Sequence, residues 1–298
     1  EGTAYGYTAV TPKEDEFLTR VHFGSPMGEL LRRYWQPIAL SSELQDLPKR
    51  IKILHEDLVV FRDLKGRVGV LDAHCCHRGA SLEYGRLETE GIRCCYHGWL
   101  FDVEGCCLDQ PCEPAKSSYK DKVRQPWYPV KEYGGLVFTY MGPPDTLPEF
   151  PYFDILLREG VELLAYRNNT RGVVAECNWL QIQENAVDPM HTFVLHSSNS
   201  GNQFTSAFAA LPNIDFVTTP NSVQYVRNAT LPNGNRFHRI GEVFIPNSRS
   251  LPSQTPESHE IIKEPGRFIG WWVPVDDTHT IGFHIEALPV TSGKQEKS

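Results

Sequence analysis

Residues 75–82 read CCHRGASL and residues 94–102 read CCYHGWLFD. As C-x-H and C-x-x-H patterns, the two stretches offer two cysteine thiolates and two histidine imidazoles as metal ligands. A structural zinc ion can use such a set, and so can a [2Fe–2S] cluster with cysteines on one iron and histidines on the other. A zinc finger pairs Cys with Cys and His with His along the chain. Here each stretch supplies one of each, which favours the cluster.

The chain contains eight cysteines, six of them in three adjacent pairs. Adjacent pairs do not suit the disulfide framework of a secreted protein, so we expect a reducing, cytoplasmic location. Although Cys95-x-His97 also fits C-x-H, we expect the cysteines next to the two predicted ligands to be packed free thiols. The same interpretation applies to four cysteines farther along the chain. The six cysteines expected to be packed free thiols are Cys76, Cys95, Cys106, Cys107, Cys112 and Cys177.

The bulk properties are those of a globular protein. The length of 298 residues allows one large or two medium domains. A formal net charge of −8 argues against a nucleic-acid or anionic-membrane partner. The sequence has no apolar run of about 18 residues, so we expect no membrane-spanning helix.

The pattern of helix, strand and turn signals divides the chain into three parts. Residues 1–35 contain a helix start at Ser25-Pro26. Residues 36–142 are rich in short β-type runs, including 51–54, 58–61, 68–71 and 134–140. A boundary at Gly142-Pro143-Pro144-Asp145 opens a mixed region, 143–298. That region contains a predicted hairpin (222–230 and 236–245) and two further strands (268–273 and 280–285).

A second constellation, Asp188-x-x-His191-x-x-x-x-His196, lies in a segment that can be mostly helical. Two histidines and a carboxylate are the usual ligands of oxygen-activating non-haem Fe(II). On a regular α-helix the two histidines would diverge by roughly 140°. We therefore predict a π-type turn or a helix end between them. Asp188 and His191 are expected on one helical face, where Asp188 can accept an N–H from a ligand histidine.

The two cysteine–histidine stretches resemble the cluster motif of the Rieske non-haem iron oxygenases almost residue for residue. The likeness extends over nearly the whole chain and is strongest to the phthalate-dioxygenase-like branch, through Arg32–Pro37 and the run PVDDTHT at 274–280. It implies an α+β fold: an N-terminal all-β Rieske domain (36–142), then a helix-grip catalytic domain (143–298) with an antiparallel sheet.

The resemblance also implies roles for single residues. Cys75 and Cys94 would bind one iron of the cluster, and His77 and His97 the other. His191 and His196 would bind the mononuclear Fe(II). Asp188 would link the cluster to that iron across a subunit boundary within a homotrimer. Three further residues are candidates for the surroundings of the iron: Asn178, Glu184 and Asn185.

The family's third iron ligand is an aspartate well downstream of the histidine pair. No carboxylate in this sequence stands in a recognisable context for that ligand, and we expect it, with the end of the catalytic domain, to lie beyond this sequence. The candidates within it are Asp215, Glu242, Asp276, Asp277 and Glu286. Residues 276–280 are expected to form a turn.

By resemblance, the activity is that of a terminal oxygenase. A ferredoxin or a flavin reductase using NAD(P)H would deliver electrons, and O₂ would be used to hydroxylate or O-demethylate an aromatic substrate, which we expect to be a carboxylate. Arg227, Arg236 or Arg239 on the predicted hairpin could bind that carboxylate. The favoured interpretation of each is nevertheless a solvated surface arginine.

Two other functions stay open at the level of sequence. A Rieske-type electron carrier would contain the cluster but no second iron. A two-site zinc protein would hold structural zinc at the cysteine–histidine stretches and hydrolytic zinc at His191 and His196. The family spacing of the two histidines argues against the first, and the interleaved ligand order argues against the second.

Overall fold

Short antiparallel strands build the N-terminal part of the chain, as its runs of β-branched residues predict. The computed structural model describes residues 13–114, 116–167, 174–199, 206–252 and 267–290. The first ten strands are β1 (Gln36–Leu40), β2 (Lys49–Ile53), β3 (Glu56–Arg62), β4 (Val68–Asp72), β5 (Arg86–Glu88), β6 (Gly91–Arg93), β7 (Leu100–Phe101), β8 (Cys107–Asp109), β9 (Val130–Tyr133) and β10 (Leu136–Thr139). They form three sheets with the orders β1-β10-β9, β2-β3-β4 and β5-β6-β7-β8.

Two helices precede these strands, α1 (Glu16–Thr19) and α2 (Pro26–Arg32). The Ser25 hydroxyl accepts a hydrogen bond from the Gly28 N–H at 3.2 Å, so Ser25 caps α2 as its position before a proline predicts. The predicted helix start is confirmed.

A single large antiparallel sheet follows, in the order β11-β17-β16-β15-β14-β13-β12. Its strands are β11 (Val161–Arg167), β12 (Asn213–Thr218), β13 (Ser222–Thr230), β14 (Arg236–Phe244), β15 (Ser248–Pro252), β16 (Arg267–Pro274) and β17 (Thr280–Pro289). The predicted hairpin is β13 and β14, which pair from Ser222–Phe244 to Thr230–Arg236. The strands predicted at 268–273 and 280–285 lie within β16 and β17.

The helical segment between β11 and β12 is interrupted. Helix α3 (Trp179–Ala186) is followed by α4 (Met190–Val194), which continues as a π-helix, Leu195–Asn199. The break at 187–189 follows from Pro189, which has no N–H to donate and disfavours helical geometry in the residue before it. Short 3₁₀ helices occur at Ser41–Glu43, Leu82–Tyr84, Tyr119–Lys122, Pro144–Thr146, Asp154–Leu156 and Ser206–Ala209.

Two apolar clusters stabilise this arrangement. The larger one joins the small sheets to the large sheet; for example, the Phe138 and Trp271 rings meet edge to face at 5.3 Å. The smaller one lies beneath the two cysteine–histidine loops and contains Cys75 and Cys94 themselves. The fold is the predicted α+β architecture, mostly sheet with few helices.

Within the described ranges, no helix combines the length and the apolar character needed to cross a membrane.

Candidate metal sites

The two cysteine–histidine loops have the same backbone hydrogen bonds. In each loop the cysteine N–H donates to the carbonyl five residues later at 2.8 Å, from Cys75 to Ala80 and from Cys94 to Trp99. This bond closes each loop over its own ligands. Two loops of one design therefore present one cysteine and one histidine each.

A glycine completes each loop. The N–H groups of Gly79 and Gly98 donate to the carbonyls of Cys75 and Cys94 at 2.8 and 3.1 Å. Both glycines have positive φ angles, +70° and +73°, which a residue with a side chain adopts only with strain. The glycine after each histidine is thus a requirement of the loop conformation.

The four predicted ligands converge. Cys75 and Cys94 are each 3 % exposed, and the His77 and His97 ring centroids are 4.6 Å apart. The Nδ1 atom of His77 is buried and has no hydrogen-bond partner in the part of the chain that the structure describes. Trp99 stacks on the His77 ring at 4.3 Å and fixes its plane. A buried imidazole nitrogen without a partner, beside two buried thiols, fits a metal cluster.

The surroundings of the two ligand thiols favour their protonated form. A hydrogen bond with Cys76, then burial, raises the pKa of Cys75. Burial is the main cause of the raised pKa of Cys94. Because metals bind thiolates, loading this site would release these protons.

The other cysteines are not uniformly packed, so the expectation of packed thiols is wrong for three of them. Those three are exposed: Cys76, Cys95 and Cys112. Cys107 is buried, whereas Cys106 and Cys177 are partly exposed. In the two pairs that contain a predicted ligand, the ligand cysteine turns inward and its neighbour turns outward.

The second constellation lies where α4 passes into the π-helix. The His191 and His196 ring centroids are 5.2 Å apart, although five residues separate them in sequence. The wider π turn brings the second ring back toward the first. The predicted irregularity is confirmed. The Nδ1 atom of His191 is buried and makes no hydrogen bond to another described residue.

Asp188 does not share a helical face with His191, because it precedes α4. Instead its Oδ1 accepts from the Met190 and His191 N–H groups at 2.9 and 3.3 Å and caps the helix. Its Oδ2 lies 3.6 Å from His191 Nδ1. The carboxylate remains 52 % exposed, so it can still reach a group outside its own chain.

The candidates on and before α3 lie in different surroundings. Asn185 lines the cavity beside the histidine pair, whereas Glu184 lies on the exposed surface of α3. Asn178 caps α3 and also donates to the backbone carbonyls of Thr19 and Asp277. The structure therefore places only Asn185 of these three among the residues that line the cavity, and a role close to the metal stays a prediction for each.

A cavity of about 200 Å³ opens beside His191 and His196. Its wall combines aromatic and cationic side chains from the large sheet with the histidine segment. The lining residues are Asn185, Ala186, Asp188, Pro189, His191, Thr192, His196, Phe208, Tyr225, Arg227, Arg239, Arg249, Leu251 and Phe268.

Three arginines line this cavity, and the expectation of solvated surface arginines is wrong for Arg227, which is 1 % exposed. Arg239 lines the cavity as well, and only Arg236, at the end of the hairpin, is exposed. The third arginine, Arg249 on β15, was missed because no motif surrounds it. Burial lowers the pKa of all three, that of Arg249 to about 10, and all stay charged at neutral pH.

Comparison with known proteins agrees with this geometry. The family model of the Rieske [2Fe–2S] domain matches residues 34–133. Phenoxybenzoate dioxygenase subunit alpha of Ectopseudomonas oleovorans is 46% identical over 95% of this chain and 69% of its own length. This chain belongs to the Rieske non-haem iron oxygenases, as an oxygenase subunit.

Other Rieske oxygenases show how far the likeness extends. The oxygenase subunit of the tert-butanol monooxygenase / tert-amyl alcohol desaturase of Aquincola tertiaricarbonis is 42% identical over 100% of this chain and 67% of its own length. A crystal structure of dicamba monooxygenase bound to dicamba covers 86% of this chain and 77% of its own, with a TM-score of 0.69 and 20% identity. That structural match supports the fold alone.

Rieske oxygenases contain a [2Fe–2S] cluster and a mononuclear iron. The paired loops offer two thiols and two imidazoles for the cluster, and His191 and His196 offer two imidazoles for the mononuclear iron. Within the described ranges, no three histidine, cysteine or carboxylate side chains converge as a single-ion site would require.

The five candidate carboxylates do not join the histidine pair. Asp277 receives hydrogen bonds from Arg20 and the Val21 N–H, and Asp276 holds the turn by binding Thr278 and His279. The remaining candidates lie on the large sheet: Asp215 on β12, Glu242 on β14 and Glu286 on β17. The predicted turn at 276–280 is confirmed.

Proposed function

We propose that this chain is the terminal oxygenase that hydroxylates or O-demethylates an aromatic carboxylate with O₂ and reductase-supplied electrons. The observation that carries the proposal is the pairing of two separate donor sets in one chain. The paired loops present His77 and His97, and the α4–π segment presents His191 and His196 beside a cationic cavity.

The residues of the chain have distinct tasks. Cys75, His77, Cys94 and His97 hold the cluster, whereas His191 and His196 hold the mononuclear iron. When bound, the two metal groups supply electron transfer and oxygen activation. The chain's own contribution is to place the substrate in the cavity and to exclude water.

We infer a homotrimer in which Asp188 connects the cluster of one subunit with the iron of its neighbour. In support, the Asp188 carboxylate is half exposed and lies beside exposed apolar side chains at Met190, Val194 and Leu195. Next to His97, Tyr96 is also exposed. Exposed apolar side chains next to each metal site suit a contact between subunits.

The electron donor is a ferredoxin or a flavin reductase that uses NAD(P)H, and the location is the cytoplasm. The relatives support a separate donor because their names describe them as oxygenase subunits. All eight cysteines lie in the described ranges and are free thiols, as expected in a reducing compartment.

The relatives support an aromatic acid as the substrate. Besides the phenoxybenzoate enzyme, the oxygenase subunit of phthalate 4,5-dioxygenase of Pseudomonas putida is 44% identical over 64% of this chain and 43% of its own length. The cavity offers aromatic walls for a ring and arginines for a carboxylate.

Metal analysis with visible spectroscopy tests the function. We expect a coloured protein with Rieske absorption bands and three irons per chain. His191→Ala should remove the mononuclear iron and leave the bands unchanged. Two irons per chain in the wild type would instead indicate an electron carrier, and a colourless zinc-loaded protein would refute the proposal.

A further inference from the structure

The cavity arginines differ in what their guanidinium groups already bind. Both terminal nitrogens of Arg227 donate to neutral acceptors, whereas its Nε is buried and has no partner among the described residues. Its Nη1 donates to the Pro189 carbonyl at 3.3 Å and to the Thr192 hydroxyl, and its Nη2 donates to the carbonyls of Phe208 and Ala210 at 3.0 and 3.2 Å. Arg227 therefore attaches the histidine segment to the sheet, and few of its donors remain for a ligand.

Arg249 contacts aromatic rings instead of carbonyl groups. Its guanidinium carbon lies over the rings of Trp272 and Phe268, 4.9 and 5.8 Å from their centroids. Its Nε is buried and has no hydrogen-bond partner, and no ion pair joins Arg249 to another residue of the described ranges. Arg249 is partly exposed, but a guanidinium shielded in this way without an anion beside it is costly, so this group is suited to a partner that arrives from outside.

The surroundings of Arg249 do not neutralise it. In the sheet, Arg249 is opposite Gly270, and the next strand places His284 opposite the same glycine. His284 is 2 % exposed, and burial, then the charge of Arg249, lowers its pKa to about 3, so it is neutral at pH 7. The carboxylate that lines the cavity, Asp188, is half exposed and belongs to the helix cap.

We propose that Arg249 is the specificity-determining residue that binds the anionic group of the substrate, a carboxylate or sulfonate, at the sheet end of the cavity. This inference rests on the proposed function. The planar guanidinium offers parallel N–H donors to such a group. Phe268 and Trp272 hold it in one orientation, and Arg227 is a positioning residue for the histidine segment.

Binding measurements on the holoenzyme test this assignment. The probes are benzoate, phthalate and 4-phenoxybenzoate, each compared with its neutral amide by titration calorimetry. We expect at least one acid to bind the wild type more tightly than its amide. Arg249→Gln should weaken that acid about 10- to 100-fold, as for loss of a charge-assisted hydrogen bond, and should change amide binding little.

Arg236→Gln is the matched control. Arg236 is exposed at the start of β14 in the same sheet, so its replacement should leave the acid preference unchanged. Arg249→Lys keeps the charge and should retain part of the preference, which covers a folding failure of the glutamine variant. Any of three results overturns the proposal. The first is that the wild type prefers no acid over its amide, and the second is that Arg249→Gln keeps the wild-type preference. The third is loss of the preference in all three variants, Arg249→Gln, Arg249→Lys and Arg236→Gln.

Iron content and the Rieske bands are measured on the same samples. A wild-type protein without the expected iron content or without the Rieske bands would contradict the proposed function. The comparison of acid and amide binding would still test the role of Arg249.

Discussion

At the residue scale, neighbours in sequence have unlike roles because the loops turn one side chain in and the next out. Cys75 is buried beside Cys94, whereas Cys76 is exposed and its N–H donates to the Gln125 side chain at 2.7 Å. The pair offers a matched comparison of two substitutions that differ only in position.

We therefore expect Cys75→Ser to abolish the Rieske absorption bands and to remove two irons per chain, because a cluster iron loses a thiolate. Cys76→Ser should keep both. Absorption spectra with iron and sulfide counts check the pair. Equal loss in both variants would show that the ligand assignment is wrong.

Asp188→Asn separates the charge of this side chain from its capping role. The amide oxygen can still accept from the Met190 and His191 N–H groups, so the helix start should survive. We expect full metal content with turnover reduced by about 10-fold or more, since removing a partner of a metal-ligating histidine has an effect of this order. Unchanged turnover would refute the bridging role.

At the element scale, the α4–π segment depends on the sheet for its position. Arg227 reaches from β13 to both Pro189 and Thr192 within that segment. Replacement by Lys retains a charge but cannot contact four acceptors at once. We expect Arg227→Lys to lower the affinity for the mononuclear iron by about 10-fold while the Rieske bands persist. Iron retention during dialysis against a chelator measures this, and loss of both metals together would indicate general unfolding instead.

The free energy of unfolding should depend on pH because of His284 in the large sheet. Its pKa is about 3 in the folded protein against 6.5 unperturbed, since it is packed between Tyr166 and Phe268 and near Arg249. Between these values the unfolded chain binds the extra proton. The free energy of unfolding should therefore fall as pH falls from about 6.5, by up to about 1.4 kcal/mol per pH unit.

Urea unfolding at pH 7.5 and pH 5 measures this dependence. His284→Asn should show a smaller loss of stability between the two pH values than the wild type. His238→Asn, at an exposed position of β14, should retain the wild-type difference. An unaltered difference in His284→Asn would show that another group is responsible.

At the scale of the whole molecule, the two predicted domains are packed together. The tip of the β2–β3 hairpin donates the Leu54 and His55 N–H groups to the carbonyls of Pro274 and Val275, each at 2.9 Å. His55 also pairs with Asp277 at 3.0 Å. These contacts hold the two parts together within one subunit, whereas the proposed electron transfer runs between subunits.

Mixed trimers test that transfer. Co-expression of a Cys75→Ser subunit with a His191→Ala subunit places an intact cluster beside an intact iron only across a boundary. We expect measurable turnover in the mixed protein and essentially none in either variant alone. Inactive mixed trimers that retain both metals would contradict transfer between subunits.

The sequence by itself determined the two cysteine–histidine loops, the α+β order of elements and the need for a π turn at His191 and His196. These features are local, because ligand spacing, glycine position and helix geometry act over a few residues. The C-terminal hairpin and strands were predictable for the same reason, from alternation and turn residues.

Only the tertiary structure decided how the cavity is built. Arg227, Arg239 and Arg249 come from three strands, and their burial depends on which sheet face the helices cover. The break at Pro189 converted Asp188 from a helical residue into a cap. Such outcomes depend on contacts between residues far apart in the chain, and no single stretch of sequence encodes them.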